Sequence, residues 1–262
     1  MTAPAALVVP TRRDEAWRYS DLAGVARAWP VAPEAITVAA GETAAHMVVQ
    51  DAAPGSATIR HFAISIEAGA ALAFHIINAG GAYGRVALDV TLHAGARFDL
   101  GGIILARDAQ VLEIVTTVTH AGPGATSRQT IRCIAGDTAT ATYLGKVAVA
   151  RAGQQTDAAQ SFKALLLDRG ATANAKPELE IFADDVKCAH GATVGELDKA
   201  ALFYFESRGV PPMQARALLT RAFLSDALEG LDGDAREAAE ARVTALLASP
   251  LPLAGGAGGG ND

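Results

Sequence analysis

Residues 184–191 read Asp-Asp-Val-Lys-Cys-Ala-His-Gly, the densest run of potential ligands in the 262-residue chain. If this run is a strand, Cys188 and His190 lie two apart and project from one face. A thiolate beside an imidazole suits a soft metal or part of an iron–sulfur cluster. Two donors fall short of the four that a closed structural zinc site requires. A metal held here therefore needs ligands from another chain, or is held only transiently. On residue chemistry alone the plainer reading is a buried cysteine beside a hydrogen-bonded histidine. Asp184 and Asp185 are adjacent, so on a strand they face opposite sides and make no acid/base dyad; they read as a turn or solvated edge.

Other candidates point away from catalysis. Cys133, within Ile131-Arg132-Cys133-Ile134, reads as a core thiol. His46, His61, His75, His93 and His120 are scattered with no i, i+4 pairing, and His61 and His75 sit in apolar strand context as structural side chains. The run Gly122-Pro123-Gly124-Ala125-Thr126-Ser127 has no following lysine and opens no helix, so it is not a phosphate loop. A nucleophile elbow is also missing. The chain carries a formal charge of −6 with no basic cluster, which argues against nucleic acid. No apolar run is long enough for a membrane span and no leader is evident. Two cysteines make no disulfide framework, so a reducing cytoplasm is the expected compartment.

The elements that must hold these residues fall into four zones. Residues 1–34 carry a short helical segment around Arg12–Leu22, closed by Pro30 and Pro33. From 35 to 195, β-branched runs such as Val115-Thr116-Thr117-Val118-Thr119 alternate with Gly, Asp and Asn, the period-2 signature of strands. Glu67-Ala68-Gly69-Ala70 and His93-Ala94-Gly95-Ala96 echo each other roughly 26 residues apart, and His120-Ala121-Gly122 and Ala152-Gly153 continue the echo; such spacing suits stacked β-coils. The periodicity leaves a β-sandwich open as the competitor. Residues 196–248 read as helices: Leu197–Arg208 ending at Gly209, an amphipathic stripe of Ala215, Leu218, Leu219, Ala222 and Phe223, and a third helix over Asp234–Leu247. Residues 249–262 form a Gly-rich tail that reads as disordered. Half the residues are hydrophobic but only 5% are aromatic, so small and branched side chains must fill the core, as in flat stacked sheets.

Residues 176–195, KPELEIFADDVKCAHGATVG, closely resemble the C-terminal signature of the SufB/SufD family of the SUF iron–sulfur cluster assembly system, as does Leu202–Gly209. Gly145-Lys146-Val147-Ala148-Val149, followed by Gln154, Gln155, Thr156, Asp157 and Gln160, is similar to the family's Gly-Lys and Gln-Thr-rich stretch. Within the family, Arg13-Asp14-Glu15-Ala16-Trp17-Arg18-Tyr19-Ser20-Asp21-Leu22 and the scarcity of cysteine resemble the SufD branch more than the SufB branch. The resemblance implies a mostly β fold: a right-handed parallel β-helix with a short N-terminal helical segment and a C-terminal helical region. It implies a non-catalytic scaffold that pairs with SufB through the β-helices and binds the ATPase SufC through the C-terminal helices. An isolated chain can pair with itself across the same surface. Phe203, Tyr204, Arg208, Arg221 and Phe223 become the SufC-facing candidates. No cofactor is held stably. A transient iron–sulfur cluster is expected at the SufB–SufD interface, with His190 and, more weakly, Cys188 as iron ligands. Two rivals stand beside this: a SufB-like principal scaffold acting as a homodimer, and a β-helix carbohydrate-active enzyme.

Overall fold

The computed structural model describes residues 8–248. A 3-10 turn (Glu15–Trp17) and helix α1 (Leu22–Ala28) precede twelve strands: β1 (Glu34–Val38), β2 (Thr43–Ala52), β3 (Ala57–Ile66), β4 (Ala71–Gly80), β5 (Tyr83–Leu92), β6 (Arg97–Ala106), β7 (Val111–His120), β8 (Thr126–Ala135), β9 (Thr140–Val149), β10 (Thr156–Leu166), β11 (Thr172–Ile181) and β12 (Val186–Gly195). Helices α2 (Lys199–Ser207), α3 (Pro212–Ser225) and α4 (Gly233–Ala248) follow. The Gly-rich tail at 249–262 lies outside the described residues.

Odd strands form one six-stranded sheet, β1-β3-β5-β7-β9-β11, and even strands the other, β12-β10-β8-β6-β4-β2. Pairing is parallel in both, with each strand meeting the strand two steps along the chain, as in β4 with β6 and β7 with β9. Successive strands thus alternate between sheets. This is a parallel β-solenoid of six coils, and the β-sandwich is set aside, since a sandwich is built from antiparallel hairpins. A single coil cannot bury its own face; stacking six does. Phe62, Phe74, Leu88, Phe98, Ile104 and Ile114 fill the interior. Aromatics meet across the two sheets: Phe62 on β3 lies edge-on to Phe74 on β4 at 5.4 Å, and Tyr143 on β9 stacks on Phe162 on β10 at 5.6 Å.

The corners explain the glycine echo and correct its register. Along one edge, successive turns bond to one another: Gly41 N–H to Ala68 O, Gly69 to Ala94, Gly95 to Pro123, Gly124 to Gln154, and Gln155 to Asp185. All five donors have left-handed backbone. Gly124, not Gly122, therefore continues the series, and Gln155, not Gly153, ends it. On the opposite edge Asp108 and Asp137 take the left-handed position, and each coil's amide is capped by the next coil's carboxylate: Asp108 N–H by Asp137, Asp137 N–H by Asp168.

Helix α2 starts two residues later than expected, because Asp198 caps it by accepting from Ala200 N–H. Helices α3 and α4 pack on the outward face of the even-numbered sheet, where Ile77, Ala79, Ile103, Leu105 and Ile134 meet Leu224, Ala227, Leu228, Ala239 and Val243. A Cβ added at Gly101 would lie 2.0 Å from Ala227 O, so glycine is required for this approach. His75 Nε2 donates to Glu229 O at 3.0 Å, and Arg132 pairs with Asp226 at 2.8 Å. The α3 stripe is only partly that expected: Ala215, Thr220 and Leu224 are buried, whereas Leu218 and Ala222 are exposed. The helix continues into a 3-10 turn (Asp226–Leu228), and it is this turn that dips onto β6 and sets the rotation.

Candidate functional site at the open end of the solenoid

Strand β12 is the last rung of the even sheet. Cys188, His190, Ala192 and Val194 are register partners of Ala158, Gln160, Phe162 and Ala164 on β10. Those four β10 residues are buried in the solenoid, so the same parity on β12 faces inward. Cys188 and His190 therefore share a face, as the two-residue spacing predicts. Among the described residues no further coil covers them, and the inward face of β12 is exposed. His190 is exposed; Cys188 is half-buried against Val147, Val149, Ala158 and Leu179. Burial pushes the Cys188 thiol up, helped by nearby Asp157 and opposed by a backbone hydrogen bond from Ala158. The resting group is the thiol, and a metal that binds it displaces the proton. Among the described residues no three His, Cys, Asp or Glu side chains gather closely enough to hold a metal. The pair is an incomplete donor set of sulfur and nitrogen.

Beneath His190 lies Gln160, 3% exposed, with neither side-chain polar atom hydrogen-bonded. Sequence reasoning placed Gln160 only in a Gln-rich stretch; its position under His190 depends on the pairing register. Asp184 and Asp185 form the turn into β12, where Asp185 N–H bonds Gln154 Oε1 at 3.0 Å and Asp185 O accepts from Gln155 at 2.6 Å. Around this end Ile181, Phe182 and Val194 present exposed apolar side chains, a feature of the site that sequence reasoning missed.

The other histidines lie apart from the pair. His75 and His120 are buried, His46 stacks on Phe74 with centroids 4.9 Å apart, His61 bonds Asp89 at 2.7 Å and His93 lies near Glu67. Cys133 is fully buried, with its thiol pushed up by desolvation.

The helical candidates divide. Phe203 and Tyr204 on α2 are 73% and 56% exposed, and the Arg208 guanidinium stacks over the Tyr204 ring at 5.3 Å. Arg221 on α3 is exposed and lines a groove of about 290 Å³ with Leu218, Leu228, Glu240 and Val243. Phe223 instead packs into the seam between helices and sheet.

The SUF-system iron–sulfur cluster assembly SufBD core domain matches residues 22–223, which takes in α1, the whole solenoid and most of α3. The chain belongs to the SufBD core family. Relatives include a chloroplastic protein of Arabidopsis thaliana named ABCI7 (34% identical over 205 residues, 77% of this chain and 43% of the relative). The iron–sulfur cluster assembly protein SufD of Escherichia coli is 35% identical over 143 residues, 55% of this chain and 33% of its own length. A SufBD family protein of Synechocystis is 36% identical over 154 residues, 58% of this chain and 34% of its own. The matched regions thus span between 33% and 43% of the length of these relatives. No helix among the described residues is long and apolar enough to cross a membrane.

Proposed function

We propose that this SufBD core chain acts as a scaffold in the SufD role. It pairs with a SufB-type solenoid at its open end, binds the ATPase SufC through its C-terminal helices, and does no chemistry of its own. The iron–sulfur cluster is its cargo. The observation that carries the reading is the incomplete donor pair: Cys188 and His190 face the same way on the last, uncovered rung. A second chain covering that end supplies both the missing ligands and the apolar surface to cover Ile181, Phe182 and Val194. The two donors hold iron transiently, which suits a site that must release its product. Phe203, Tyr204, Arg208 and Arg221 supply an exposed aromatic and cationic face on α2 and α3 for SufC. Phe223 supports that face from the seam. ATP-driven SufC dimerisation pulls these helices, and the seam transmits the movement to the solenoid. The compartment in this reading is the cytoplasm, where both free thiols stay reduced.

The test is co-purification with the host's SufB and SufC, wild type against His190→Ala, followed by anaerobic maturation. The expected result is that both chains enter the complex and only the wild type gains cluster absorbance. A wild-type chain that binds neither partner overturns the reading; a cluster built on this chain alone replaces it with a self-paired principal scaffold.

A further inference from the structure

Among the polar groups buried inside the largely apolar solenoid is a column of amides. Gln129 on β8, Gln160 on β10 and His190 on β12 are successive register partners on the inward face. The lower end is fixed: Thr116 Oγ1 donates to Gln129 Oε1 at 2.7 Å, and Tyr143 Oη donates to the same oxygen at 3.2 Å. The upper end is not. Gln129 Nε2 and both polar atoms of Gln160 are buried without a partner. An unpaired buried amide group destabilises the folded chain, and an apolar side chain of similar volume would remove that cost. Packing does not explain Gln160, whose neighbours along β10, Ala158 and Phe162, are buried and apolar. The next rung explains it. Neighbouring strands lie about 4.8 Å apart, so Gln160 lies one rung below His190 on the same face.

We infer that Gln160 is a positioning residue for His190: its Oε1 accepts the N–H of one ring nitrogen and leaves the lone pair of the other facing outward for iron. A neutral imidazole has one donor and one acceptor nitrogen, and the bond made by the first decides which nitrogen is free. Metal-binding histidines are oriented by such outer partners, whose loss weakens binding about 10–100-fold. The inference rests on the scaffold reading for the identity of the metal, but not for the proposed Gln160–His190 bond, which is open in this structure.

The deciding experiment is nitrogen NMR of the histidine-labelled full chain at a fixed pH above the imidazole range. One His190 tautomer is expected to dominate in the wild type, to give way to a mixture in Gln160→Leu, and to return in Gln160→Glu, whose carboxylate also accepts. The melting temperature of Gln160→Leu is expected to stay near that of wild type, because losing one bond to an exposed ring is offset by removing the unpaired Nε2. In the complex with SufB, iron(II) added anaerobically is expected to bind Gln160→Leu about tenfold more weakly. An unchanged His190 tautomer in Gln160→Leu overturns the inference, as does a fall of several degrees in melting temperature, which would make the amide a structural bond. If His190→Ala still builds a cluster, the function reading fails separately, while the tautomer result still decides Gln160. Gln160→Met serves as a second apolar variant if the leucine fails to fold.

Discussion

Among single residues, the clearest conflict between burial and chemistry is His120, the last residue of β7. It is fully buried, its Nε2 lies 2.9 Å from Ser127 Oγ, and its Nδ1 lies 3.4 Å from Thr156 Oγ1. Burial pushes its imidazole down to about 4, with a hydrogen bond from the ring to the Ala125 backbone acting the other way. The folded chain binds this proton later than the unfolded chain, whose histidine titrates near 6.5. His120 therefore contributes its full stability above about pH 6.5 and loses it as pH falls towards 4, about 3 kcal/mol in all. His75 shifts the same way through burial, so the wild-type slope has more than one source. His120→Gln keeps polar atoms at the corner without the titration. Urea unfolding at pH 7, 5.5 and 4 is expected to show the stability gap between wild type and variant closing by up to about 3 kcal/mol as pH falls. Parallel slopes would mean that His120 is not held neutral. The contrast with His190 is instructive. In the sequence His120 was one of several scattered histidines and His190 half of the Cys188–His190 pair. Only the coil register shows that one ends a buried corner and the other an open rung.

At the level of elements, the N-terminal segment is tied to the odd sheet by a buried ion pair. Arg85 on β5 and Glu113 on β7 are register partners 2.6 Å apart and almost fully buried. The same Glu113 oxygen accepts from Ser20 Oγ at 2.9 Å and Tyr83 Oη at 3.2 Å, while Arg85 donates to Ala16 O at 3.0 Å and lies 3.8 Å over the Trp17 ring. A buried pair of this kind is expensive to break, because the remaining charge stays in a dry site. Glu113→Gln or Arg85→Met is expected to cost about 3–5 kcal/mol in urea unfolding. Changing both, Arg85→Met with Glu113→Leu, is expected to recover most of that. The double variant is also expected to expose Arg18 to trypsin, because residues 14–20 then lose their buried anchor and keep the Lys176–Glu15 pair and the Trp17–Trp29 contact. If the double variant is as unstable as the singles, the segment is held by packing alone. The motif around Trp17 was readable in the sequence as a helical segment and a family mark, but its anchor was not, since Arg85 and Glu113 lie in separate strands. The strands themselves were legible from their alternation. The corner register was not, because Asp108, Asp137 and Gln155 take left-handed turns where glycine spacing was the only guide. The α3 face was misplaced for a similar reason: the dip of Ala227 onto Gly101 is a property of two distant segments, and no periodicity reports it.

Across the whole molecule, the solenoid separates two surfaces that the proposed function requires to act together. One is the open end, where the outer edge of β12 has no partner strand within the described residues and Phe182 is 58% exposed beside Ile181 and Val194. Uncovered edge strands with apolar flanks invite pairing with another chain. The other is the helical layer, joined to the even sheet through Gly101, His75 and the Arg132–Asp226 pair. If pairing and ATPase binding belong to these separate surfaces, each should fail alone. Phe182→Asp changes an exposed side chain, so stability is expected to move by no more than about 0.5 kcal/mol. Association with SufB, or of the chain with itself, is expected to weaken at least tenfold by sedimentation, while SufC is retained. Gly101→Val drives a side chain into Ala227 O and lifts the 3-10 turn. SufC retention is then expected to fall while pairing through β12 persists and the strand signature in circular dichroism is unchanged. The opposite pattern, SufC lost with Phe182→Asp or pairing lost with Gly101→Val, would assign the two partners the other way round. Loss of both in either variant would mean that the solenoid couples its end to its helices through the β-coils themselves, since the two substitutions share no contact.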